Sequence, residues 1–173
     1  MLNILIACNH KSSRESLIAL LSAQPGLNII GVCADTHAAI AITGREQPDI
    51  VLIDGSTDPL AVIEAIKRIS AFSTAGVIAL SRYPDRGFAQ HMMAAGALGY
   101  LTSCCSDIEV ITAIQEVAKD NCYCCLETKH LPIVTPEHIS SFKKSLSSIS
   151  DKARKKISQA VENHWHGILK FTN

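Results

Sequence analysis

Five short apolar runs, rich in Ile and Val and each separated from the next by a stretch with helical spacing, most constrain what this chain can fold into. The runs are Leu2–Cys8, Asn28–Cys33, Asp49–Ile53, Gly76–Leu80 and Ala97–Leu101. They are continuous instead of alternating with polar residues, which marks strands covered on both faces, as in parallel sheets. The intervening stretches carry apolar residues three and four apart. Leu17, Leu20 and Leu21 lie in Ser13–Ala23, which Gln24-Pro25-Gly26 stops. Asp35 caps a helix whose face is Ala38, Ala39, Ile40 and Ile42, ended at Gln47-Pro48. Pro59 opens a third with Leu60, Ile63, Ile66 and Ile69. Asp85–Ala95 is a fourth, ended by Gly96, and Ser106 or Asp107 caps a fifth carrying Ile108, Ile111, Ile114 and Val117. This order predicts an α/β fold: a doubly wound, five-stranded parallel sheet with right-handed crossovers. Ligand sites in such sheets lie at the carboxyl ends of the strands. The residues expected there are Cys8-Asn9-His10, Asp54, Ser81 and Thr102-Ser103.

From Pro136 the pattern changes. Ile139, Phe142, Leu146, Ile149, Ala153 and Ile157 form one stripe, extended by Val161, Trp165, Ile168 and Leu169 and broken near Ser148–Asp151, where Ser150 can cap a second helix. We therefore divide the chain into an α/β domain over 1–128 and a linker with a basic, amphipathic helical tail over 129–173. Charge supports the division. Residues 1–130 carry 9 Lys/Arg against 13 Asp/Glu, whereas residues 131–173 carry 7 against 3. A basic appendage on an acidic domain can dock on that domain, on an acidic partner or on nucleic acid. An apolar content of 47% excludes disorder as the default. The opening residues lack a basic leader, and no apolar run approaches the roughly 20 residues of a membrane span. A soluble, cytoplasmic protein with reduced thiols is expected. The strand ends offer neither a nucleophile–base pair nor a phosphate-cradling glycine loop, so an enzyme is not expected.

Three segments resemble a known family. Leu2–His10 resembles the first strand of bacterial response-regulator receiver domains, in the branch that often precedes a LuxR/NarL-type helix-turn-helix. Ile50-Val51-Leu52-Ile53-Asp54 is similar to their third strand, and Ala94-Ala95-Gly96-Ala97-Leu98-Gly99-Tyr100-Leu101 to their segment through the fifth. The resemblance covers roughly residues 1–125 and implies a flavodoxin-like fold of receiver type. It further implies phosphoryl transfer to an aspartate from a histidine kinase. In the family, Mg²⁺ held by two acidic residues and a lysine neutralise the phosphoryl charge. By this resemblance Asp54 is the candidate phospho-acceptor, and Ser81 and Tyr100 are the hydroxyl and aromatic switch positions. Cys8 and Asn9 stand at the acidic pair and Ser103 stands at the lysine. One amide is a poor substitute for two carboxylates around Mg²⁺. No cofactor is therefore expected, and the chain reads as a pseudo-receiver: a phosphorylation-independent interaction module. A protein partner or a second copy would bind through the fourth helix, fifth strand and fifth helix, through the tail, or through both. An orthodox phospho-acceptor and a transcription regulator with a DNA-binding tail at Lys152–Lys156 are the alternatives. A plain strand-end Asp54, a turn hydroxyl at Ser81 and a half-buried Tyr100 are the bland readings of the same residues.

Seven cysteines remain. Cys8 and Cys104-Cys105 belong at the strand-end mouth. Cys122, Cys124 and Cys125 follow the last helix, about 25 Å away at 1.5 Å per residue, so one metal site using both groups is not expected. The spacing of Cys122, Cys124, Cys125 and His130 fits no common zinc pattern, and small buried thiols are the expectation. His164 and His166 are expected to be solvated around a packed Trp165.

Overall fold

A computed structural model describes residues 1–56, 58–82 and 85–125. The division at residue 128, the basic tail, His130, and the His164–His166 pair lie outside the described residues. Within them the chain runs β1 (Leu2–Ala7), α1 (Lys11–Ser22), β2 (Leu27–Cys33), α2 (Thr36–Glu46), β3 (Ile50–Asp54) and α3 (Pro59–Phe72). It continues through β4 (Gly76–Ser81), α4 (Arg86–Ala95), β5 (Gly99–Thr102) and α5 (Asp107–Val117) to β6 (Tyr123–Cys124). The helix starts follow their capping chemistry. Asp35, Asp58, Asp85 and Ser106 each accept a backbone N–H from the first turn, and Ser106 with Glu109 completes a capping box.

The sheet is parallel, with strand order β2-β1-β3-β4-β5-β6. It has six strands where the sequence pattern indicates five. The extra strand, β6, is two residues long, too short for any periodicity to announce it, and its ladder is flanked by Tyr123 N–H on the Leu98 carbonyl and Cys125 N–H on that of Tyr100, both at 2.9 Å. The fifth strand also begins two residues later than its apolar run, because Ala97 and Leu98 serve the turn out of α4.

The inner strands β1, β3, β4 and β5 are buried on both faces, as their continuous apolar runs require, whereas the edge strand β2 is only partly covered. One face packs Ile4, Ile6, Ile50, Leu52, Ile78 and Leu101 against Leu21 of α1 and Val110, Ala113, Ile114 and Val117 of α5. The other packs Leu5, Val51, Ile53, Val77, Ala79 and Tyr100 against Ala39 of α2, Val62, Ala65, Ile66 and Ile69 of α3, and Ala89 and Met92 of α4. Alternate residues of each strand feed opposite cores, so neither core tolerates a change of register. Tyr100 is completely buried, not half-exposed.

Two glycines explain the segment from Ala94 to Leu101. Gly96 closes α4 at φ 117°, a left-handed conformation that side chains resist, and its N–H bonds the carbonyl of Met93. A Cβ on Gly99 would lie 2.8 Å from Ile78 Cγ1 on the neighbouring strand. Replacement Gly96→Ala is therefore expected to cost about 1–2 kcal/mol, seen as a lower urea midpoint at unchanged slope. An unchanged midpoint would show that the α4 terminus relaxes freely.

Candidate functional site

In this strand order the chain steps outward from β1 to β2 and then back across to β3. The β1/β3 boundary is thus the point where connections depart in opposite directions and leave a crevice. Ala7 is level with Ile53, so the next residues, Cys8 and Asp54, face each other across that crevice. Asp54 is half-buried. Its Oδ1 accepts the Ser56 N–H at 2.9 Å and its Oδ2 accepts the Cys8 S–H at 3.4 Å. The same thiol lies 3.5 Å from the His10 carbonyl, a second acceptor for its one proton. Burial pushes the Cys8 thiol up to about 11, and the Asp54 charge and hydrogen bond push in the same direction. Near neutral pH Cys8 is therefore a neutral donor to a carboxylate, not a ligand or a nucleophile.

The remaining site residues fall at the expected strand ends. Asn9 is exposed on the β1–α1 loop. Ser81 closes β4, is 6% exposed, and stands level with Thr102 of β5. Ser103 is exposed. Its N–H donates to the Ser81 carbonyl at 2.9 Å and its hydroxyl to the Arg82 carbonyl at 3.2 Å. Where the family resemblance calls for a cation, a short neutral side chain instead ties the β4 and β5 loops together. Burial raises the Tyr100 hydroxyl above its ordinary range, and the Ser81 side chain pulls against that shift. The Tyr100 ring packs edge-on against Phe88 of α4, with centroids 6.2 Å apart. A Cβ on Gly55 would sit 3.0 Å from Phe88 Cζ, so the same phenyl ring reaches the loop beside Asp54.

Arg14 is a site residue that the apolar pattern does not single out. From the first turn of α1 its Nη1 donates to the carbonyls of Cys8 at 2.7 Å and Asn9 at 3.3 Å. A positive charge near a helix start opposes the helix dipole. That opposition was the available sequence signal, and the bonds to the β1–α1 loop offset it. Arg14 thus fixes the loop that carries Cys8 and Asn9, and its guanidinium is directed to backbone carbonyls.

Mg²⁺ requires hard oxygen ligands in near-octahedral array. The crevice offers a buried neutral thiol, an exposed amide, and one carboxylate whose two oxygens already accept hydrogen bonds. These residues do not fit the ion.

The chain's matches to known proteins agree with this architecture. Residues 4–115 match the family model of the response regulator receiver domain. The transcriptional regulatory protein LiaR of Bacillus subtilis is 30% identical over 120 residues, which cover 69% of this chain and 57% of LiaR. The oxygen regulatory protein NreC of Staphylococcus carnosus is 24% identical over 155 residues, 88% of this chain and 70% of NreC. The crystal structure of a two-component response regulator of the LuxR family from Aurantimonas superposes with a TM-score of 0.67 at 22% identity, covering 83% of this chain and 96% of that one. The segment matched to LiaR is thus little more than half of that regulator's length. Among the described residues no helix is long and apolar enough to cross a membrane.

The thiol environment yields a direct check. With Cys8 near 11 and an ordinary thiol at 9.0, its alkylation at pH 8 should be about a hundredfold slower than in the unfolded chain. Asp54→Ala, which removes two of the raising influences, should accelerate it. Because the folded-state value is the raised one, the stabilising effect is complete below pH 9 and is lost as pH climbs from 9 to about 11. Urea midpoints should fall over that window. Equal alkylation rates in wild type and Asp54→Ala would refute the Cys8–Asp54 contact.

Proposed function

This chain belongs to the response regulator receiver family, and from that premise we propose that it is a signalling and protein-interaction module whose output does not depend on phosphorylation of Asp54. The observation that carries this reading is the Cys8 thiol donating to the Asp54 carboxylate at 3.4 Å. Phosphoryl transfer to a carboxylate builds negative charge on the transferring group, and cations must neutralise it. Here Cys8, Asn9 and Ser103 stand where the family resemblance implies two acids and a lysine. The nearby guanidinium of Arg14 is engaged with the loop carbonyls.

The switch positions support the same reading. Tyr100 is fully buried within the unmodified protein, so the inward position of the aromatic needs no phosphoryl group to hold it. The same burial keeps Tyr100 from touching a partner itself. It acts from beneath, through Phe88, on the α4–β5–α5 face. Ile108, 77% exposed at the start of α5, gives that face an apolar contact point. A protein partner or a second copy of the chain is the ligand this surface suits. DNA binding by the tail is the alternative that the name of LiaR favours. Its signature would be salt-steep binding lost on neutralising Lys152, Arg154, Lys155 and Lys156.

Acetyl phosphate with Mg²⁺, followed by intact mass, tests the proposal. The wild-type chain should show no phosphoryl adduct. The combined change Cys8→Asp, Asn9→Asp and Ser103→Lys should gain one, mapping to Asp54. A wild-type adduct that disappears in Asp54→Ala would establish an orthodox phospho-acceptor, served by a histidine kinase, and overturn the reading.

A further inference from the structure

The two cysteine groups expected about 25 Å apart are in contact. The 11 residues of α5 carry the chain away from the strand-end mouth by about 16 Å at 1.5 Å per residue. The unforeseen strand β6 then brings it back, parallel to β5, with the Cys125 N–H on the Tyr100 carbonyl at 2.9 Å. The sulfurs of Cys105 and Cys125 meet as a disulfide, with Cα atoms 6.6 Å apart. Glu109 joins them from the first turn of α5, its Oε1 3.3 Å from Cys125 Sγ. One donor atom from each of the three lies within 4.8 Å of the others.

We propose that in its dithiol form this cluster is a metal site, in which the Cys105 and Cys125 thiolates and the Glu109 carboxylate bind a thiophilic divalent cation of the zinc class. The groups around it are those a ligand set needs. Ser106 donates its N–H at 2.7 Å and its hydroxyl at 2.8 Å to Glu109 Oε2, leaving Oε1 turned toward the sulfurs. The Thr102 N–H donates to Cys105 Sγ at 3.3 Å, which favours the thiolate. Such outer contacts orient ligands and tune their affinity. The Cα separation lies at the wide end of the range for a disulfide, and an ion between the sulfurs would part them to about 3.8 Å, from zinc–sulfur bonds of about 2.3 Å in tetrahedral geometry. Two thiolates and a carboxylate are a soft and borderline set suited to zinc, and unsuited to magnesium or calcium. Three protein ligands leave the fourth tetrahedral position to water. Loading the site releases the two thiol protons. The disulfide and the ion use the same sulfurs, so they exclude each other. The ion would tie β6 to the start of α5, on the edge of the face described above.

The full-length chain should be reduced under argon with a water-soluble phosphine. The disulfide takes up two electrons and two protons as the phosphine takes oxygen from water. After removal of metal, the chain is titrated with Co²⁺ and then with Zn²⁺ against a chromophoric chelator. One ion per chain is expected, with a thiolate-to-cobalt charge-transfer band and the intense visible bands of a tetrahedral ion. Cys105→Ser and Cys125→Ser should each weaken zinc binding about a hundredfold, and Glu109→Gln and Ser106→Ala about tenfold. Cys104→Ser and Cys124→Ser should bind like wild type. The oxidised wild-type chain, which needs no mutation and keeps its fold, should give no cobalt band. Absence of the band in the reduced chain, wild-type affinity in Cys125→Ser, or persistence of the band in the oxidised chain would overturn the assignment.

Discussion

A parallel sheet buried on both faces leaves its strands no surface for polar chemistry. Ile4, Leu5, Val51, Leu52, Val77 and Ile78 are completely buried, and successive residues serve opposite cores. Hydrogen-bonding side chains that are to act together must then collect where the strands stop. The reversal of connection between β1 and β3 sets which ends face one another. Cys8 against Asp54, and Ser81 against Tyr100 and Thr102, follow from that register.

What the mouth can do depends on the charges that converge there. The Asp54 carboxylate is held by a backbone N–H and a thiol, neutral donors strong enough to orient it and too weak to neutralise added negative charge. Arg14 supplies its positive charge to the carbonyls of the β1–α1 loop. The chain thus carries the fold of the receiver family, with a hydrogen-bonded arrangement around Asp54 at its strand ends. The Tyr100–Phe88 contact links that arrangement to α4.

The far edge of the sheet is governed by a different constraint. A two-residue strand is a weak closure for an edge. The cysteines on either side of α5 reinforce it. Cys105 sits in the turn that ends β5, held by its N–H on the Thr102 carbonyl at 3.0 Å, and Cys125 follows β6 directly. The 20-residue separation between them closes a loop around α5.

The caps at Asp58 and Asp85 were seen only in the structure. By itself the sequence determined the α/β alternation, the helix cap at Asp35 and the choice of Ser106 or Asp107 for the last one, the strand ends that carry Cys8, Asp54, Ser81 and Ser103, and the family. These are matters of apolar periodicity, local hydrogen bonding and motif, each legible within a few residues. Tertiary structure decided the sixth strand, the full burial of Tyr100, the use of Arg14 on the loop carbonyls, and the meeting of Cys105 with Cys125. The 25 Å estimate treated α5 as a rod leading away from the mouth, which it is. What no local pattern encodes is the return of the chain beside β5, because pairing over two residues with Gly99 and Tyr100 leaves no periodic mark on Tyr123 and Cys124.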